Sequence, residues 1–383
     1  MNDAGPPDER EADHSSVLHE AGASEAPPLT MRREGFVFSG NAREYFGIWI
    51  VNVLLTILTL GVYSAWAKVR RMRYFYGNTS LAGSSFDYHA RPVKILIGRV
   101  VVLVAFALYN LALQVFPVAS LFLIVGFLFL VPWFVMRGLR FSARVTSYRN
   151  VRFDFTGGYW EAFLAYVLGG LLTWGSLGLL APVASRWSWN YTLGHLTYGG
   201  RPIDCDPRLE KLFGQWWMPA MVFVGGIVAL AVLTLGVGAV IGSGLAGVVG
   251  GGGGAGAAMA GMLLLVYLGF VPLFLLYVLV GLLYRAGSRN VALNETVIDG
   301  MHALSSTISR WRYAWIAISN FFATVLTLGM LRPWAAVRMA RYLAGATALY
   351  SLGSLDDYLG ALEAEGAAVG AEYMDVEGLD FGF

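Results

Sequence analysis

Asn52, Thr56 and Thr59 stand four and three residues apart in a stretch, Gly47 to Ala67, that carries no charge. On a helix that spacing puts all three on one face. The same residue types return at the same spacing as Asn320, Thr324 and Thr327, inside the uncharged stretch Tyr313 to Leu331. An unsatisfied polar group in hydrocarbon is costly, so such residues face protein or a cavity. Two equivalent polar faces could line a path for a small solute. The plainer alternative is that Asn and Thr hold helices together, which is their commoner use in membranes.

A second group is basic and aromatic. Trp66, Lys68, Arg70, Arg71, Arg73 and Tyr74 fall within the eleven residues Trp66 to Tyr76, which also contain Phe75. Trp and Tyr prefer the membrane–water interface, and clustered Lys/Arg gain about 1 kcal/mol each from anionic lipids. The stretch therefore reads as an interfacial helix that touches lipid headgroups, or as an ordinary topology anchor. Arg99, at the start of an apolar segment, reads as a snorkelling anchor. Asn110 and Gln114, four apart, read as a helix-pairing face.

Catalytic chemistry finds no footing. The apolar segments hold no Asp, His or Lys, and Glu44 and Glu161 stand only at segment starts. Gly250 to Gly254 lacks the Lys-Ser/Thr of a phosphate loop and reads as a turn. His14, His19, His89, His195 and His302 show no metal-ligand spacing, and Cys205, the only cysteine, has no partner for a disulfide. The expectation is a chain that is not an enzyme and needs no cofactor or metal. A net charge of +2 without a basic face gives no case for nucleic acid.

The elements that position these residues are membrane segments. Hydrophobic residues make up 57% of 383 and charged residues 14%, against roughly 25% charged in soluble domains. Gly47 to Ala67, Val100 to Met136, Ala162 to Ser185, Leu212 to Tyr284 and Tyr313 to Leu331 each run long enough without charge to cross about 30 Å of hydrocarbon. The second and fourth are too long for one helix and divide at Phe116-Pro117 and at Gly247 to Gly256. The expected fold is an all-α polytopic membrane protein. Residues 1–34 read as a disordered tail without the apolar core of a signal peptide, 35–353 as the membrane domain, and 354–383 as an acidic tail able to meet a soluble partner.

Self-similarity organises the membrane domain. At an offset of 117, Phe36-Val37-Phe38-Ser39-Gly40 meets Phe153-Asp154-Phe155-Thr156-Gly157, Leu60-Gly61 meets Leu177-Gly178, and Tyr74 meets Tyr191. At an offset of 268, Asn52, Leu60-Gly61, Trp66, Arg70, Arg73 and Tyr74 meet Asn320, Leu328-Gly329, Trp334, Arg338, Arg341 and Tyr342. The copies run over 36–89, 153–204 and 304–353, with the hairpins 95–136 and 212–284 between them. The runs Phe36 to Phe46, Leu58 to Arg71 and Arg73 to Thr79 also resemble the YjgN family of bacterial inner-membrane proteins. That resemblance implies a multi-pass cytoplasmic-membrane location and an unknown function, and it supplies no site residues.

The basic residues add a topological expectation. Neither hairpin division holds a Lys or Arg, whereas every loop on the other side does. Under the positive-inside rule this fits four full spans, with the repeated segments re-entering and leaving on the cytoplasmic side near Leu60-Gly61 and its copies, and both termini cytoplasmic. Two functions remain open from sequence: passage of a small solute along a path lined by the repeats, or a lipid-interacting, membrane-organising role without transport.

Overall fold

The computed structural model describes residues 31–115, 120–250, 255–353, 357, 358 and 360. Residues 1–30 of the expected N-terminal tail, nearly all of the acidic tail, the division at Phe116-Pro117 and residues 251–254 of the division at Gly247 to Gly256 lie outside them.

An all-α chain is not what folds. Eleven short strands form one antiparallel sheet in the order β1-β11-β10-β9-β8-β7-β6-β5-β4-β3-β2. They are β1 (Met31–Gly35), β2 (Val37–Phe38), β3 (Thr79–Leu81), β4 (Ser84–Tyr88), β5 (Thr146–Tyr148), β6 (Val151–Phe155), β7 (Leu196–Tyr198), β8 (Arg201–Cys205), β9 (Thr296–Ile298), β10 (His302–Ser306) and β11 (Thr347–Leu352). The two ends of that order, β1 and β2, are separated in sequence by Phe36 alone. β1 pairs with β11 (Arg33 opposite Tyr350) and β2 with β3 (Phe38 opposite Thr79), so the sheet curls until its edges meet in one bent strand. Closure leaves little edge open for pairing with another chain.

Each β-hairpin follows a pair of helices. The pairs are α1 (Ala42–Leu58) with α2 (Ser64–Gly77), and α3 (Pro92–Val115) with α4 (Ser120–Arg144). Next come α5 (Tyr159–Ala162), a π-helical stretch (Phe163–Leu168) and α6 (Gly169–Gly175), which pair with α7 (Ala181–Gly194). The last are α8 (Leu209–Gly250) with α9 (Ala255–Asn294), and α10 (Arg310–Leu326) with α11 (Arg332–Gly345). The three repeated stretches and the two long hairpins between them are thus built on one plan, and the plan occurs five times.

Side chains keep the fivefold register. Six residues before each of the four hairpins, and before β11, stand Arg73, Arg140, Asn190, Asn290 and Arg341. Each donates across to a strand end or helix start, reaching the carbonyls of Tyr88 (3.3 Å), Phe155 (3.3 Å), Cys205 (2.9 Å), Ile308 (2.8 Å) and Gly40 (3.0 Å). Thr79, Thr146 and Thr296 open three of the hairpins and Thr347 opens β11, and each donates to the carbonyl four residues back, at 2.7–2.9 Å. These bonds satisfy carbonyls that a helix end leaves unpaired.

The ring is filled: Leu81, Tyr148, Tyr198, Ile298 and Leu349, together with Phe36, Phe86, Phe153, Ile203 and Leu304, belong to a single apolar cluster. The alternate residues Asp87 and Asp204 face water. Tyr148 donates to the Leu81 carbonyl (2.6 Å) and Tyr198 to the Tyr148 carbonyl (2.9 Å), so the two phenols stay satisfied inside.

Helix length separates the five units. Four helices contain spans long and apolar enough to cross a membrane: Pro92–Gln114, Gly126–Arg144, Leu209–Val240 and Gly269–Asn294. Their outward faces carry open apolar side chains such as Leu103, Phe106, Val228 and Phe270. The 17 residues of α1 and of α10 extend about 25 Å at 1.5 Å per residue. Both ends of every pair return to the same sheet.

Candidate functional site

The three short pairs turn at one motif. Leu60, Leu177 and Leu328 have φ of 49°, 53° and 50°, and the following Gly61, Gly178 and Gly329 have 93°, 86° and 92°. The amides of these glycines donate to Thr56, Thr173 and Thr324 carbonyls at 2.7 Å each, a Schellman closure that suits glycine after the left-handed residue. The leucines at the tips are 95%, 94% and 95% exposed.

The polar faces expected to line a path are held locally. Thr56 and Thr324 donate to the carbonyls of Asn52 and Asn320. Thr59 and Thr327 donate to Leu55 and Ala323 carbonyls and accept the amides of Tyr63 and Leu331, the residues just before the second helix of each pair. Ser176 accepts the Leu180 amide in the same way. Asn52 and Asn320 are buried. Arg70 reaches Asn52 Oδ1 at 3.4 Å, Arg338 reaches Asn320 Oδ1 at 3.1 Å, and Asn320 donates to the Ala335 carbonyl. In the middle copy Gly169 takes the place of Asn52, and the helices close up so that a Cβ there would lie 3.3 Å from Ala184 Cβ. The repeated Asn thus joins the two helices of its own pair.

Of the basic group, Tyr74 is buried and pins the start of α1: its hydroxyl accepts the Asn41 amide (2.8 Å) and donates to the Asn41 carbonyl (2.9 Å). Trp66 stacks on Tyr63 at 6.2 Å. Arg70 and Arg73 are engaged as described, whereas Lys68 and Arg71 make no hydrogen bond among the described residues. The charges of Arg99 and Arg71 both bear on Lys68, and Arg99 donates to Ser64. α2 packs against α1, α3 and β4.

Charge is distributed unevenly among the units. Arg144 pairs with Asp154 (2.9 Å), Arg186 with Asp206 (2.9 Å), and Arg208 with Glu295 (3.2 Å). The Arg144 guanidinium and the Phe155 amide outweigh desolvation and hold the Asp154 carboxyl below its usual range. Among the described residues Lys68, Arg70, Arg71, Arg73 and Arg99 have no carboxylate at ion-pair distance, and neither do Arg312, Arg338 and Arg341.

These last three arginines line a cavity of ≈ 720 Å³ where α10 and α11 meet the foot of α1, together with Trp315, Trp334 and Tyr342. Sequence comparison matched Trp334, Arg338, Arg341 and Tyr342 to the first copy without marking them as a site. A smaller cavity of ≈ 410 Å³, lined by Lys211, Gln215, Asn290, Asn294 and Ser306, is internally satisfied: Ser306 donates to Asn290, and Asn294 accepts the Ser306 amide.

Apolar helix pairs of spanning length rising from one closed sheet define a multi-pass membrane protein. A family described as bacterial protein of unknown function (DUF898) matches residues 33–376, and the chain belongs to that family. It is 36% identical over 138 residues to inner membrane protein YjgN of Escherichia coli O157:H7, and 35% over 138 residues to the same-named protein of Escherichia coli strain K12. In both cases the match covers 35% of this chain and 35% of the relative. The Salmonella typhimurium protein is 35% identical over 123 residues, 31% of this chain and 30% of its own. The matched stretch thus spans about a third of these relatives. No solved structure matches the chain.

Proposed function

We infer that this protein is a lipid-interacting membrane organiser whose sheet lies on the cytoplasmic side and whose basic belt holds the headgroups of that leaflet. One observation carries the reading. The uppermost basic residues Lys68, Arg137, Arg186 and Arg285 stand seven to nine residues before the ends of α2, α4, α7 and α9. Arg338 stands seven before the end of α11. At 1.5 Å per residue that is about 10–14 Å along each helix from the sheet. Among the described helices only Arg332 stands higher. A basic belt at one height on five helices matches a plane of phosphates, and positive-inside statistics put that plane in the cytoplasmic leaflet.

The filled ring and the locally bonded Asn and Thr residues weigh against solute passage through the centre. The unpaired cluster of the first unit gives the test. The purified protein is titrated with a fluorescent anionic phospholipid in detergent. Lys68→Gln/Arg71→Gln, which removes no hydrogen bond described above, should weaken binding about tenfold at low salt, and the difference should shrink at high salt. Adding Arg70→Gln and Arg73→Gln should weaken it further. Unchanged affinity at both salts reduces the cluster to a topology signal, and specific release of a small solute from proteoliposomes would favour transport instead.

A further inference from the structure

We propose that the cavity between α10, α11 and the foot of α1 is a discrete site for one phosphate-bearing lipid headgroup; this rests on the lipid-interacting reading above and assigns it a place. The walls carry three guanidinium groups and no carboxylate, since Arg312, Arg338 and Arg341 are lining residues and no Asp or Glu is. Neutral groups fix these arginines without cancelling their charge. Arg338 donates to Ser319 Oγ (2.7 Å) and Asn320 Oδ1 (3.1 Å) and lies over the Trp334 ring at 5.1 Å. Arg341 donates to the Gly40 carbonyl, and Arg312 lies over the Tyr342 ring at 5.3 Å. Most of their fifteen or so N–H donors stay free for a planar or tetrahedral oxyanion.

Two helix starts add to the field. Asn41 and Ala42 at the beginning of α1, and Ser309 just before α10, open on the same cavity, so the positive ends of two macrodipoles converge there. Size and surroundings then favour a lipid over a small ion. A volume of ≈ 720 Å³ lies in the range of sites for drug-sized ligands and far exceeds one phosphate. Trp315 is 67% and Trp334 40% exposed, an aromatic rim of the kind that sits at the glycerol level of a bilayer. The cavity also reaches up to the height of the basic belt, because Arg338 belongs to both.

The test uses the full-length protein and native mass spectrometry with phosphatidylglycerol and phosphatidylcholine as probes, beside a titration with inorganic phosphate. The wild type should retain one phosphatidylglycerol in preference to phosphatidylcholine. Arg312→Gln, which breaks only the ring contact, should lower that affinity about tenfold to a hundredfold, the loss of a charged hydrogen-bonding group, and Arg312→Lys should recover part of it. Arg338→Gln also removes the bond to Asn320, so it is read only if its thermal midpoint matches wild type. Equal retention by wild type and Arg312→Gln overturns the site. So does displacement of the bound lipid by millimolar inorganic phosphate, which would make the cavity a free-anion site. If Lys68→Gln/Arg71→Gln loses lipid affinity while Arg312→Gln does not, the belt stands and this site falls. If Arg312→Gln alone loses it, the site stands without the first unit's cluster.

Discussion

Phe155→Ala should be among the most destabilising single substitutions in the protein, costing about 3–5 kcal/mol, the usual range for deleting a buried aromatic side chain. Phe155 is 1% exposed, ends β6, and meets Tyr191 edge-to-face at 5.3 Å. The two rings join a strand to the descending helix α7 in one apolar cluster with Ala143, Ala162 and Ala165, so the cavity left by the alanine is walled by elements of two units. Tyr191 also loses the packing that aims its hydroxyl at the Gly158 carbonyl, 3.0 Å away. Leu177→Ala at the neighbouring tip is the control, since Leu177 touches little protein and should shift the thermal midpoint in detergent far less. Thermal unfolding in one detergent checks both, and a Phe155→Ala midpoint equal to that of Leu177→Ala would mean that the ring is not held at the helix feet.

The helical half of the fold was legible because membrane helices announce themselves by length and lack of charge. The turn was legible too: Leu-Gly recurs at 60, 177 and 328 because one backbone closure needs the same residue pair each time. The sheet was not read, although its signals were present. Ala82-Gly83, Gly199-Gly200 and Asp299-Gly300 stand at the hairpin turns, and all six residues have positive φ, as a type I′ turn requires. Phe86-Asp87-Tyr88, Phe153-Asp154-Phe155 and Ile203-Asp204-Cys205 alternate as strands do. Strands of three and five residues are too short to stand out beside long apolar runs, and Phe153 to Gly157 is more conspicuous as a repeated motif than as a strand end.

Two features were out of reach for a different reason. Ring closure pairs Met31–Gly35 with Ala348–Leu352, over three hundred residues away, and no local pattern encodes so distant a partner. The fivefold plan was hidden because its helices vary from 4 to 42 residues, so no constant offset aligns all units. The arginine-lined cavity shares this difficulty, since the foot of α1 and the pair α10–α11 come from opposite ends of the chain. The Asn and Thr faces, by contrast, were found from spacing, and only their hydrogen bonds distinguish a joint between helices from a lining.

In intact cells, cysteines on the sheet should be untouched by a membrane-impermeant maleimide, and those in the two uncharged hairpin divisions should label fully. Ser85→Cys and Asp204→Cys test the first, because both positions are exposed on the polar face of the ring. Pro117→Cys and Gly252→Cys test the second. The background is favourable, because the native Cys205 is buried and its thiol is pushed up to about 11 by desolvation, leaving almost no thiolate at neutral pH. The tips decide how far the short pairs reach. If the phosphates lie about 10–14 Å from the sheet along the helices and α1 extends about 25 Å, the Leu60 tip ends near the middle of a 30 Å core. Leu60→Cys and Leu328→Cys should then resist impermeant reagent from both sides and react only with a membrane-soluble one. Labelling of Ser85→Cys or Asp204→Cys from outside would refute the cytoplasmic placement of the sheet. Labelling of Leu60→Cys from outside, with the sheet protected, would mean that the short pairs cross the membrane completely, and the height of the basic belt would then no longer mark a phosphate plane.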